Sequence, residues 1–166
     1  MPSTITSLTP ATLLGIARDL ARHTDTWRSL AQHRPDERWC LRLDAHDDHD
    51  TWLIGWDSFQ GVDLHDHGGS AGALYVLDGE LLELSTGRGG TGRLREQSLT
   101  AGTARAFGAG HVHRVVNPSA AVATSLHVYS PPLVSMDFYV AAAGRQLTRT
   151  HREPALGPRS GRGEVR

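Results

Sequence analysis

HDHGGSAGALYVLDG, residues 65–79, is the stretch on which the reading of this chain turns. His65 and His67 lie two residues apart, so on an extended backbone both imidazoles point to one side and can meet one metal ion. Gly68 and Gly69 then break the chain. The apolar run GALYVL follows and ends at Asp78-Gly79, the dipeptide of a tight hairpin turn. Downstream, GTARAFGAGHVHRVVN (102–117) supplies His113, with His111 beside it. In Ser125-Leu126-His127-Val128-Tyr129 the alternation puts Ser125, His127 and Tyr129 on one strand face, each roughly 6.5–7 Å from the next.

The flanking sequence has the same texture. WCLRL, TWLIGW, ELLEL, RLREQSL, ARAF, HRVV and AVATSLHVY are short apolar or alternating runs, punctuated by DDHD, TGRGGTG, GAG and NPS. Many short strands joined by turns predict an all-β sandwich or barrel. Before them, residues 9–23 read as a helix: Thr9 can cap it, Pro10 takes its first position, and Leu13, Leu14, Ile16, Ala17, Leu20 and Ala21 recur at helical spacing. A second, weaker helix is expected over Trp27–Gln32, and one short helix or strand over Asp137–Gly144. The domain plan is a helical segment (1–37) packed on a barrel (38–147), with a charged, Pro- and Gly-rich mobile tail (148–166).

Composition narrows the function. The chain has 166 residues, enough for one ordinary domain. Its 17 Lys and Arg against 18 Asp and Glu leave a net charge of -1, which argues against a nucleic-acid or anionic-membrane surface. No apolar run reaches the length of a membrane span, and MPSTITSLTP carries no basic leader. A single cysteine, Cys40, excludes an internal disulfide framework and suits a reducing cytoplasm. The expectation is a cytoplasmic monomer with no membrane or nucleic-acid partner. Ten histidines point to metal or proton chemistry.

The two glycine-framed histidine segments resemble the cupin superfamily, which implies a double-stranded β-helix, or jelly-roll, barrel. Its first motif matches His65, His67 and Gly79, with Gly72 where a glutamate is usual. Its second matches Gly102, Gly110, His113 and Asn117, with Gly108 in place of proline. The expected site is therefore three neutral histidines and no acid. Such a donor set suits iron, copper, zinc or nickel, leaves open positions for O₂ chemistry and favours an anionic substrate donor such as a thiolate.

ERWCLRL, GVDLHDHGGSAGALYVLDGEL, GHVHRVVN and SLHVYSPP, spread over residues 38–134, resemble the bacterial branch of type I cysteine dioxygenase. The resemblance implies Fe(II) on His65, His67 and His113, and a Ser125-His127-Tyr129 relay beside it. The substrates are then a small thiol, L-cysteine, and O₂, with cysteine sulfinate as the product. The family's carboxylate-binding arginine matches Arg42, with Arg38 on the same parity as a rival. Some members carry a cysteine that becomes thioether-linked to the relay tyrosine; here that position is Gly72. Cys40 reads as a small buried hydrophobe on the face of Arg42, and Trp52 and Trp56 read as core. A dioxygenase for 3-mercaptopropionate and a non-catalytic metal- or ligand-binding cupin are the competing readings.

Overall fold

The computed structural model describes residues 7–86, 94–142 and 146–155. Two antiparallel sheets face one another across a buried core. The first has the strand order β1 (Trp39–Ala45), β2 (Asp50–Trp56), β9 (Ala123–Ser130), β4 (Ala71–Asp78), β7 (Ala104–Phe107). The second runs β11 (Leu147–Pro154), β10 (Ser135–Ala141), β3 (Gly61–His65), β8 (His113–Val116), β5 (Glu80–Ser85), β6 (Arg95–Thr100). This is the expected all-β cupin architecture with two N-terminal helices.

Helix α1 (Pro10–Arg22) begins where its sequence requires. Thr9 accepts a hydrogen bond from the Thr12 amide at 3.2 Å and Pro10 opens the first turn. Its apolar face covers the outside of the first sheet, where Leu13 and Ala17 pack on Ala71, Ala73 and Val128. The small alanines let the helix sit close, and burying a leucine side chain of this kind contributes about 1.5–3 kcal/mol. Helix α2 (Thr24–Leu30) starts three residues earlier than expected and seats Trp27 against Leu53 and Leu126.

Two expectations need correction. The Asp78-Gly79 turn closes no hairpin, because β4 pairs with β7 and β9 while β5 pairs with β6 and β8. It carries the chain from one sheet to the other. Gly79 takes φ +75° there, and a Cβ would meet the Val122 carbonyl at 2.6 Å.

Residues 148–154, assigned to a mobile tail, form β11 instead and pair with β10 from Ser135↔Pro154 to Ala141↔Leu147. Almost every β11 side chain is exposed, so no apolar alternation marks the strand. Its arginines do the anchoring: Arg152 grips Asp137 with Nε at 2.6 Å and a terminal nitrogen at 2.9 Å, and Arg149 adds a contact at 3.2 Å. Residues 156–166 of that tail and most of the TGRGGTG turn lie outside the described residues.

Candidate metal centre

Sheet register brings the three histidines together. His65 ends β3 and stands directly opposite His113, the first residue of β8. His67 follows in the turn, and the three ring centroids lie 4.8–5.1 Å apart. Each ring offers one nitrogen to a group whose atoms all fall within 4.8 Å of one another. All three are almost wholly buried. Burial holds each imidazole below its usual pKa, and the neighbouring histidines push His65 and His67 further down. They are neutral at pH 7, the state a metal requires.

The protons can be placed. The Asp63 carbonyl can only accept, so His65 donates to it from Nδ1 at 2.7 Å and keeps Nε2 free. His113 likewise donates from Nδ1 to the Glu83 carboxylate at 2.8 Å and keeps Nε2 free. Among the described residues, His67 has no partner for either ring nitrogen although it is fully buried. A buried imidazole with both nitrogens orphaned is costly unless something else satisfies it, and a metal ion held with His65 and His113 does so.

The turn carrying His67 is stapled by the aspartate between the histidines. Asp66 Oδ1 accepts from the amides of Gly68 and Asp137, both at 3.0 Å, and Oδ2 accepts from the Tyr139 hydroxyl at 2.7 Å. Gly68 takes φ +60° with the Ser135 carbonyl only 2.6 Å from where a Cβ would sit. His67 is then held in a column of stacked rings, between Tyr129 at 5.1 Å and Phe107 at 4.8 Å, with His111 on the far side of Phe107 at 4.6 Å.

Glu83 was not anticipated. The three-histidine group itself holds no acid, as expected, but the Glu83 carboxylate lies behind one of its members, His113. Its Oε1 also accepts from His111 at 3.2 Å, and Arg105 lies 3.3 Å from Oε2. Burial raises the Glu83 carboxyl, but the hydrogen bonds from His111 and His113 and the charge of Arg105 outweigh it and hold it well below the carboxylate range. The signal was available within ELLEL, because Glu83 shares the inward parity of fully buried Leu81. A carboxylate on a ligating imidazole fixes its orientation and raises its basicity. Glu83→Gln should weaken metal binding roughly 10–100-fold in a competition titration with a chelator; unchanged affinity would remove Glu83 from the site.

Ser125, His127 and Tyr129 lie side by side on β9 as expected. His127 Nε2 is 2.9 Å from Ser125 Oγ and its Nδ1 is 3.1 Å from the Tyr129 hydroxyl. Burial depresses His127 to about 3 and pushes the Tyr129 phenol well up, so both are uncharged at pH 7. Trp56, read as core, is buried but also donates from Nε1 to Ser125 Oγ at 2.9 Å.

These groups open on a cavity of about 50 Å³ between the sheets. One wall carries Cys40, Trp52, Ile54, Trp56, His127 and Tyr129, the other Val62, His65, His113, Val115 and Met136, with Arg38 and Leu133 also lining it. Arg42 is absent from this lining. Its guanidinium lies 5.8 Å from the Trp52 ring, whereas Arg38 sits 5.2 Å above Trp56 with a buried, unpartnered Nε. The cation facing the cavity is therefore Arg38, on the parity of Arg42 but four residues earlier.

Gly72 lies between Tyr129 and Phe107 in the sheet. A Cβ there would stand 3.1 Å from Tyr129 Cδ1 but only 2.5 Å from Phe107 Cε2 and Cζ. Phe107 fills the space that a side chain at position 72 would need.

The family model for cysteine dioxygenase type I matches residues 13–141. The chain belongs to the cysteine dioxygenase type I family. Among solved structures, this cysteine dioxygenase type I family member is similar to TT1209 of Thermus thermophilus, with 27% identity and a TM-score of 0.56 over 63% of this chain and 93% of that one. It also shares its fold with BH2720 of Bacillus halodurans, at 19% identity and a TM-score of 0.54 over 65% of this chain and 79% of that one. A cupin superfamily protein of Desulfitobacterium hafniense matches at 15% identity and a TM-score of 0.51, over 61% and 84% of the respective chains. Family membership makes this a thiol dioxygenase-type cupin with a small-molecule substrate. Among the described residues, no helix is long and apolar enough to cross a membrane.

Acid should unfold this family member through its buried imidazoles. His127 is held near 3 when folded and titrates near 6.5 when unfolded. The unfolded chain therefore binds more protons between those values, and stability is lost as pH falls from about 6.5 toward 3. His65, His67 and His113 shift in the same direction and add to the slope. Urea midpoints measured at pH 7.5 and pH 5 check this, with a flat profile as the contrary result.

Proposed function

We propose that this chain is an Fe(II)-dependent dioxygenase that oxidises L-cysteine with O₂ to cysteine sulfinate, so that the thiol R–SH and O₂ give R–SO₂⁻ and a proton. The observation that carries this reading is the meeting, in one small cavity, of neutral imidazoles, a relay tyrosine and the arginine Arg38. His65, His67 and His113 would hold the metal. Fe(II), when bound there, supplies open coordination positions and the redox chemistry that lets O₂ react with a thiolate.

The protein's own groups do the rest. The Arg38 guanidinium offers a planar fork that fixes a carboxylate, a geometry lysine cannot reproduce. Ile54, Val62, Val115, Leu133 and Met136 keep water out and so strengthen every polar contact inside. Tyr129 presents its hydroxyl to the cavity as an oriented donor, supported by His127 and Ser125.

One observation favours 3-mercaptopropionate as a second reading. Among the described residues no carboxylate lines the cavity, so a substrate ammonium finds no counter-ion among these lining side chains. Oxygen uptake by the iron-loaded protein with each thiol, with the sulfinate identified by mass, separates the two readings. Faster turnover of cysteine is the expected result. Preference for 3-mercaptopropionate would reassign the substrate, and no uptake with either would leave a non-catalytic cupin.

A further inference from the structure

We infer that Trp56 is a positioning residue: its indole N–H sets the direction of the Ser125-His127-Tyr129 hydrogen bonds, so that Tyr129 keeps its hydroxyl proton for the cavity. The inference concerns proton placement in the protein itself, while its effect on turnover rests on the thiol dioxygenase reading.

An indole nitrogen can only donate. Trp56 Nε1 lies 2.9 Å from Ser125 Oγ, so Ser125 accepts from it. Ser125 is fully buried and touches one other polar atom in this network, His127 Nε2, at 2.9 Å. With Trp56 donating to Ser125, the Ser125 proton finds its acceptor at Nε2. If Nε2 carried a proton instead, two donors would point at Ser125 Oγ and the serine's own proton would be stranded in the core, at a cost of about 1–3 kcal/mol for a buried unsatisfied group.

Nε2 therefore holds a lone pair. Burial keeps His127 neutral, so its single proton sits on Nδ1 and is donated to the Tyr129 oxygen at 3.1 Å. The Tyr129 proton is not consumed by His127 and turns toward the cavity that Tyr129 lines. Without the indole N–H, the native arrangement loses its advantage, because Ser125 then keeps one unpaired function either way, its oxygen or its proton. The opposite arrangement can form, with Tyr129 donating to Nδ1 and Nε2 to Ser125, and the cavity loses its donor.

Trp56 is placed for this by register. It stands opposite Ala123 on β9, with Ser125 as its diagonal neighbour on the inward face, and the Arg38 guanidinium lies over its ring at 5.2 Å.

The test replaces Trp56 with benzothienylalanine, which keeps the bicyclic shape and loses only the N–H, alongside the variant Trp56→Phe. Imidazole ¹⁵N spectra of the full-length protein without iron, whose paramagnetism would broaden the signals, report the tautomer of His127, assigned by its loss in His127→Gln. The native protein is expected to show His127 protonated on Nδ1, and both variants a gain of the Nε2-protonated form. On iron loading, iron content and KM should stay within about twofold. kcat should fall roughly 10-fold or more, since one aligned donor is worth about 10²–10³ in rate. An Nε2-protonated His127 in the native protein, or an unchanged tautomer in both variants, would overturn the inference. If the tautomer shifts as expected but no thiol is turned over by the native protein, the placement stands and the dioxygenase reading falls.

Discussion

His67→Ala is expected to leave the protein unable to hold iron. His67 has no hydrogen-bond partner, so its loss removes no contact that stabilises the metal-free fold through polar pairing. What it removes is one of the three donors of the His65-His67-His113 group; among the described residues the neighbouring group of Glu83, His111 and His113 shares only His113 with it. Removing only the groups that orient a ligand already costs roughly 10–100-fold in metal affinity, so losing the ligand itself should cost more. Iron content after desalting should fall to background and O₂ uptake with it. The alanine variant should otherwise melt close to the metal-free native protein, after allowance for the ring stacking with Tyr129 and Phe107. Full iron occupancy in His67→Ala would remove this residue from the ligand set and leave the orphaned imidazole without a cause.

The second large effect belongs to Arg38. Truncating one partner of a buried charge pair costs about 2–5 kcal/mol, equivalent to roughly 30-fold or more in affinity. Arg38→Ala should therefore raise the KM for cysteine by at least that factor, with a much smaller effect on cysteamine, which lacks the carboxylate. Arg42→Ala should cost less than Arg38→Ala, because Arg42 sits over the Trp52 ring and is not among the residues lining the cavity. The reverse order would return the carboxylate to Arg42. Equal losses on cysteine and cysteamine would remove Arg38 from carboxylate recognition.

The contrast between these arginines shows where sequence reading ends. Parity decides which face a strand residue takes, and on that basis Arg38, Cys40 and Arg42 are indistinguishable. Position separates them: Arg38 lies just ahead of β1, whereas Cys40 and Arg42 lie within it, where Cys40↔Ile54 and Arg42↔Trp52 align the strand with β2 ahead of a bulge between Arg42 and Asp44. The histidines were legible for the opposite reason. His65 and His67 are two apart, and His113 stands directly opposite His65 in the sheet, so strand parity and register bring the three together. The face of Ser125, His127 and Tyr129 was legible by period alone.

Glu83 and Trp56 were visible as residues but not as partners, because both act across strands far apart in sequence, on His113 and Ser125. β11 was hidden for another reason. Its stability comes from backbone pairing and from Arg149 and Arg152 on Asp137, so its sequence carries the charge of a solvated segment. The Asp-Gly turn misled because the same dipeptide that closes a hairpin also turns a corner between two sheets.

The tie between the histidine turn and the last described strands has a consequence for biosynthesis. A ribosome delivers His65, His67 and His113 well before residue 135, yet the groups that staple the turn come afterwards: the Asp137 amide and Tyr139 hydroxyl on Asp66, then Arg149 and Arg152 on Asp137. A nascent chain halted at residue 134 carries every candidate ligand but none of these staples. Ordering of the histidine turn is thus expected to be a late event in the life of the polypeptide. An mRNA truncated ahead of β10 should yield a product whose histidines bind metal weakly and exchange it freely.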